Sequence, residues 1–286
     1  MNALLALSSR TSTFNPLTTG EVADASAGAT SEPKLTAGAS LLSDYVYRGI
    51  SYSAHQPSTG VFIEAQQCWL YSWVNFNSVK FSTQPAVELT AAAGLRATLA
   101  AFYFDIGAAY YYYPGEIGPE RSNYWEVHAT VSHKLTDTIT LGSTVAYAPD
   151  VWQTGAWGTY AAGTLSFDLP TGFLPADVGW SLSFDLGRSQ FGRTSSGGGV
   201  SAGATGLPLP AYTNWRAGLT FNYRAFKLGF NYTGTNLSQE VMTGDLGAIP
   251  GGAITPGNPM GLRSGLCGAT FSGTLGFEIN PITLRR

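Results

Sequence analysis

Residues 100–113 read AAFYFDIGAAYYYY. Phe102, Phe104, Ile106, Ala108, Tyr110 and Tyr112 fall on one side of an extended chain, with Tyr103, Asp105, Gly107, Ala109 and Tyr111 on the other. Successive side chains of a strand point to opposite faces, so this stretch predicts a strand with one apolar face and one face bearing a carboxylate and phenols. The division recurs at residues 214–224, where Trp215, Ala217, Leu219, Phe221 and Tyr223 alternate with Asn214, Arg216, Gly218, Thr220, Asn222 and Arg224. Near the end of the chain, Phe271, Leu275, Phe277 and Ile279 oppose Thr270, Ser272, Thr274 and Glu278.

Period-two alternation of this kind runs through most of the chain and predicts about twelve half-buried strands. They are expected at residues 35–50, 60–66, 69–78, 86–96, 100–113, 123–134, 138–148, 157–168, 178–191, 211–223, 226–236 and 268–279. The connections alternate in length. Gln67-Cys68, Ala97 to Leu99, Leu135 to Asp137 and Arg224-Ala225 are short, with Leu169 to Asp177 the exception. Pro114 to Ser122, Pro149 to Ala156, Gly192 to Pro210 and Leu237 to Cys267 are longer and rich in turn formers. Short turns at one end and long loops at the other characterise outer-membrane barrels, which have even strand numbers. The expected fold is all-β, a closed antiparallel transmembrane β-barrel over residues 35–286, preceded by a flexible N-terminal arm at residues 1–34.

Composition narrows the function. Charged residues are only 12% of the 286 and aromatics 13%, too apolar a balance for a disordered chain. Yet the mean hydropathy is only +0.03, and no run supplies the roughly 20 apolar residues of a transmembrane helix. The net charge of -3, with Lys and Arg scattered singly, offers no basic stripe for nucleic acid. Two cysteines, Cys68 and Cys267, rule out a four-thiolate metal site. The barrel layout sets them at opposite ends, too far apart for a disulfide. Met1 to Arg10 holds the apolar run Leu4 to Leu7 without a basic region before it, so a complete signal peptide is not expected there.

A soluble sandwich also alternates, so the placement of aromatics along the strands decides between the two. With the strands laid up and down, Tyr45, Tyr47, Tyr110, Tyr112, Trp125, Tyr147, Trp215 and Tyr232 gather at the outer end. Trp69, Trp180, Tyr223, Phe226 and Phe277 gather at the inner end, and Ala91, Ala93, Leu141, Ala217, Leu219 and Gly273 lie between. Two aromatic girdles around an aliphatic band match a bilayer and its interfaces. The opposite face then carries Asp44, Arg48, Glu64, Glu88, Arg96, Asp105, Glu126, His128, Asp168, Asp185, Arg216, Lys227 and Glu278. These are the candidate pore-lining residues, since an Arg or Lys facing lipid at the midplane would cost about 2–4 kcal/mol. Asp44 and Arg48, four apart on one predicted strand, are expected roughly 13 Å apart at about 3.3 Å per residue, each a half of a cross-strand pair or an ion-sorting charge.

The segment Ser43-Asp44-Tyr45-Val46-Tyr47-Arg48-Gly49-Ile50-Ser51 resembles the opening S-D-Y-V-F-R-G-I-S of the TorF family of porins, which is also known as the Gcw_chp domain. Tyr110 to Gly115 is similar to that family's Y-x-Y-P-G segment and is followed by Asn123-Tyr124-Trp125-Glu126-Val127, while Tyr212-Thr213-Asn214-Trp215 fits its late strand start. The resemblance covers residues 36–279 and implies an outer-membrane barrel. The chain departs from the family pattern in running past Ile279 to Leu284-Arg285-Arg286 instead of closing on a terminal aromatic.

An enzyme reading finds little support. The imidazoles are His55, His128 and His133. His128, beside Glu126 and Thr130 on one strand face, could suggest hydrolase chemistry, but that face is polar throughout. Gly197-Gly198-Gly199 lacks the strand and helix that a phosphate cradle requires. No catalytic residue, cofactor or metal site is expected. The expected function is a narrow passive channel for small hydrophilic solutes or ions in the bacterial outer membrane, with lipid as its surroundings and room for a homo-oligomer or complex partner. The alternatives are a non-conducting barrel, plugged by side chains or by Gly192 to Pro210, and a sugar-binding sandwich using Trp152 and Trp157.

Overall fold

The computed structural model describes residues 33–81, 83–117, 121–172, 174–175, 177–195, 206, 208–237 and 265–283. The expected N-terminal arm at residues 1–34 and the Gly197 to Gly199 run therefore fall almost wholly outside the described residues.

Twelve antiparallel strands close into one barrel. In chain order they are β1 (Lys34–Leu42), β4 (Ser58–Gln67), β5 (Leu70–Ser78), β6 (Val87–Leu99), β7 (Phe102–Tyr112), β8 (Tyr124–Lys134), β9 (Ile139–Ala148), β10 (Gly158–Asp168), β11 (Val178–Phe191), β12 (Tyr212–Tyr223), β13 (Phe226–Thr235) and β14 (Thr270–Thr283). Two further short strands, β2 (Val46–Tyr47) and β3 (Ile50–Ser51), form a separate hairpin between β1 and β4. Each barrel strand pairs with its sequence neighbour, and β1 closes the cylinder against β14, from Leu42 opposite Thr274 to Lys34 opposite Thr283. Closure leaves no open edge, the condition for a sheet to cross lipid with its amides paired.

The faces divide as the alternation predicts. Ile106, Leu141, Val145, Leu186, Phe230, Phe271 and Leu275 are exposed on the outside, among some thirty large apolar side chains that a soluble surface would not display together. Tyr110, Tyr112, Trp125, Tyr147 and Tyr232 ring the long-loop end, and Trp69, Tyr223, Phe226 and Phe277 the short-turn end. A sandwich would bury this face. Among the described residues no helix is long and apolar enough to cross a membrane, which leaves the strands as the spanning elements.

The first predicted strand is where the structure departs most. Residues 35–50 do not continue as one strand: β1 stops at Leu42 and the chain turns inward. Arg48 and Gly49, at φ +48° and +81°, make the two-residue turn of the β2–β3 hairpin, with both central residues left-handed as a type I′ turn requires. Tyr45 and Tyr47 consequently leave the outer girdle and are buried inside. A side chain on Gly49 would lie 2.8 Å from Asn214 Cβ and 2.9 Å from the Gly234 carbonyl oxygen, so only glycine lets the hairpin tip reach the β12–β13 wall.

Candidate functional site

Every one of the thirteen predicted residues lies on the interior side, but Asp44 and Arg48 arrive there on the inserted segment 43–57 and not on a barrel strand. Three polar clusters result.

The first seats the hairpin in the outer half of the barrel. Arg48 Nη2 donates to both oxygens of Glu126 on β8, at 2.9 and 3.1 Å, and its guanidinium carbon stands 4.2 Å from the Tyr160 ring centre and 4.8 Å from that of Tyr47. Tyr45 and Tyr113 each donate a 2.8 Å hydrogen bond to Glu88 on β6. Tyr52 meets Phe81 edge-on, and Tyr111 stacks on Tyr124. Tyr45, Tyr111 and Tyr113 suit this interior because each fills volume while its hydroxyl satisfies a carboxylate that would otherwise be buried with fewer partners.

Asp44 organises the hairpin's outer side. It accepts hydrogen bonds from Ser51 and Ser53 hydroxyls at 2.5 and 3.0 Å. His55 Nδ1 lies 2.7 Å from its other oxygen, and His55 Nε2 lies 3.0 Å from the Gly265 carbonyl of the loop before β14. Both partners are acceptors, so only the doubly protonated ring donates to both. Burial works to lower the His55 pKa, but the Gly265 carbonyl and the Asp44 carboxylate outweigh it and hold it above the ordinary 6.5. Asp44 and Arg48 therefore serve different partners, and neither belongs to a pairing between adjacent barrel strands.

The second cluster lies toward the short turns, on β4 to β8. Arg96 on β6 donates to both Glu64 oxygens at 2.9 Å and, through Nε, to Asp105 at 2.8 Å, with its guanidinium 3.7 Å over the Tyr71 ring. Tyr71 donates to Asp105 at 2.8 Å, and its hydroxyl fits where Gly94 and Gly107 face each other across β6 and β7. His128 touches Asp105 and Tyr71, both at 3.2 Å, while Thr130 pairs with Thr144. The hydroxyl against the imidazole is thus that of Tyr71, and among the described residues no serine or threonine hydroxyl bonds it.

The third cluster joins Arg216 on β12 to Asp185 on β11 as an ion pair, with Thr164 donating to Asp185 at 2.6 Å and Arg216 to Asn231 at 3.1 Å. Asp168, Lys227 and Glu278 face inward near the short-turn end, partly exposed. Small residues line the wall here: Thr130, Gly142, Ala162, Thr164 and Gly179 are all partly exposed inside. The barrel is filled at its outer half and looser at its inner half.

Sequence reasoning missed the inserted hairpin and the extent to which tyrosine fills the interior. The signal was present: Arg48-Gly49 is a turn dipeptide inside an apparently continuous strand, and Tyr103 and Tyr111 sat on the polar face from the start. Cys68 is exposed at the β4–β5 turn and Cys267 is buried near the long loops, with no disulfide. Trp152 is buried against the lumen and Trp157 is exposed.

No curated protein matches the chain in sequence. Similar solved structures include a KdgM porin in complex with disordered oligogalacturonate (7% identity, 86% of this chain and 98% of that one, TM-score 0.45). LpxR from Salmonella typhimurium (9%, 85% and 99%, TM-score 0.42) and an outer membrane channel from Pseudomonas putida F1 (12%, 88% and 96%, TM-score 0.38) are also similar. A family model described as a bacterial protein of unknown function, Gcw_chp, matches residues 26–251. A closed barrel with a greasy exterior and a polar interior is a porin-like barrel, and in a bacterial cell its place is the outer membrane. With the greater part of its length matched, the chain belongs to the Gcw_chp family.

Proposed function

We propose that the protein is a narrow outer-membrane channel of the TorF type for passive diffusion of small hydrophilic solutes or ions, constricted most at its outer half by the hairpin of residues 43–57. The observation that carries this reading is the nature of the filling. Eight strands make a barrel that side chains alone can fill; this one has twelve and is filled by an inserted segment held by ionic and polar bonds, with Arg48 on Glu126 and Tyr45 on Glu88. The segment also packs Tyr45, Tyr47, Ile50 and Tyr52 into the buried apolar cluster, so its departure would expose that surface as well as break these bonds. Among the thirteen pore-lining candidates, carboxylates outnumber Arg and Lys by two to one, which favours cations over anions in the passage.

The burial of the same hairpin favours a second reading, a plugged barrel that conducts nothing. Planar-bilayer recording at several salt concentrations separates the two, comparing the wild type with a variant whose residues 44–52 are replaced by a Gly/Ser linker. Small unitary currents in the wild type, a severalfold rise in the variant and a reversal potential that moves on Arg216→Gln support the channel. Silence in all three proteins refutes it.

A further inference from the structure

Arg48 occupies its place in the manner of a bound ligand. Its charge is met by the Glu126 carboxylate at 2.9 Å, and its flat faces by the rings of Tyr160 and Tyr47 at 4.2 and 4.8 Å. A carboxylate framed by aromatic faces is the chemistry that recognises a planar organic cation. Glu126 lies on β8 and Tyr160 on β10, so these two belong to the barrel wall and stay in place if the hairpin leaves.

A further ring borders the same spot. Trp152, in the loop between β9 and β10, is 6% exposed, and its indole Nε1 has no hydrogen-bond partner among the described residues. It borders a cavity of about 20 Å³, which it shares with Arg48, Glu126, Tyr160, Phe191 and Tyr212. Trp152 and Gln153 are both held at left-handed φ, +56° and +53°, a conformation that non-glycine residues adopt mostly where surrounding structure imposes it. The loop thus adds an aromatic wall to a chamber that already holds a guanidinium, while its N–H, a donor like those of the guanidinium, takes no part in holding it.

We propose that Glu126 and Tyr160, walled by Trp152, form a binding site for guanidinium-bearing solutes, that the chain's own Arg48 fills it while the hairpin is seated, and that a free guanidinium solute competes with Arg48 for it. Occupancy by the solute releases the hairpin tip; that consequence rests on the channel reading, whereas binding does not. Arg48 is tethered, so its effective concentration at the site is on the order of millimolar or above, and a free solute displaces it from the wild type only beyond that range. Arg48→Ala removes the occupant and leaves a guanidinium-sized hole, as truncated side chains elsewhere leave cavities that accept a ligand of matching shape.

The test titrates the folded barrel in detergent with N-ethylguanidinium, against N-propylammonium at matched ionic strength, reading tryptophan fluorescence and the thermal midpoint. The expected result is saturable binding to Arg48→Ala, at least tenfold weaker binding to the wild type, and none to Arg48→Ala/Glu126→Gln, with propylammonium weaker throughout. Arg48→Gln, which keeps a planar head on the hairpin, gives the same ranking where Arg48→Ala fails to assemble. An equal response in wild type and single and double variants, or an equal response to the two cations, overturns the site. In bilayers, N-ethylguanidinium is expected to reduce the current of Arg48→Ala. Binding with no current in any protein keeps the site and defeats the channel reading, and current that ignores N-ethylguanidinium, with no binding, defeats the site alone.

Discussion

Replacing Arg96 with methionine tests whether the inner half of the barrel is dry where its charges cluster. The substitution keeps an unbranched side chain and deletes the head that lies over the Tyr71 ring and bonds Glu64 twice and Asp105 once. The Arg96, Glu64 and Asp105 side chains are 15%, 11% and 6% exposed, so the two carboxylates left behind have little access to bulk water. Removing one partner of a buried ion pair typically costs about 3–5 kcal/mol, because the other charge is stranded. Asp105 retains Tyr71 and His128 as partners, which puts the expectation at about 3 kcal/mol, the lower end of that range. The assay is urea unfolding of the barrel folded into lipid vesicles, near neutral pH and again at about pH 4, where ordinary carboxylates begin to take up protons. Most of the deficit should vanish at the lower pH, and also in Arg96→Met/Glu64→Gln/Asp105→Asn. A loss below about 1 kcal/mol at both pH values, the size expected of a solvated pair, would mean that water reaches this level freely and that the packing described here does not persist in the membrane.

Gly107→Ala should cost about 1–3 kcal/mol by overpacking, since its new methyl would stand 2.6 Å from the Tyr71 hydroxyl and 2.8 Å from the Ala93 carbonyl oxygen. In a double-mutant cycle Tyr71→Phe should recover part of that loss, and strict additivity would show that the hydroxyl is not the obstacle. Phe230→Arg, on the exposed middle of β13, should destabilise the vesicle-folded barrel by about 2–4 kcal/mol; a neutral effect would argue that this face does not contact lipid. The clasp of His55 on Asp44 and Gly265 should be complete below about pH 6.5 and weaken as pH rises through the raised pKa of the ring, because a base whose folded pKa is raised stabilises only while protonated. Hydrogen exchange at the Ser51 amide, which donates to Leu266 in the same loop, should quicken above that pH in the wild type and be fast at every pH in His55→Ala. Equal pH profiles for the two would dispose of the clasp.

The barrel was legible because its evidence is local and repeated. Asp105 between Phe104 and Ile106, or Arg216 between Trp215 and Ala217, states at each position which side of the sheet must avoid hydrocarbon. The penalty for reversing a strand by one residue is paid by every side chain on it. Short and long connections in alternation then order the strands without any long-range information. The alternation of Asp44 to Arg48 misled for the same reason: a hairpin inserted into the lumen alternates too, and period two says nothing of what lies on either side.

What sequence alone determined, then, is which face of each strand meets lipid, how many strands close the cylinder and which charges turn inward, since each follows from the two-residue period and the cost of placing charge in hydrocarbon. Only the tertiary structure decided how those inward charges are matched. Arg48 finds Glu126, His55 finds Gly265 and Tyr71 finds the gap between Gly94 and Gly107; these partners are brought together by closure of the cylinder and entry of the hairpin, and no spacing along the chain encodes such meetings.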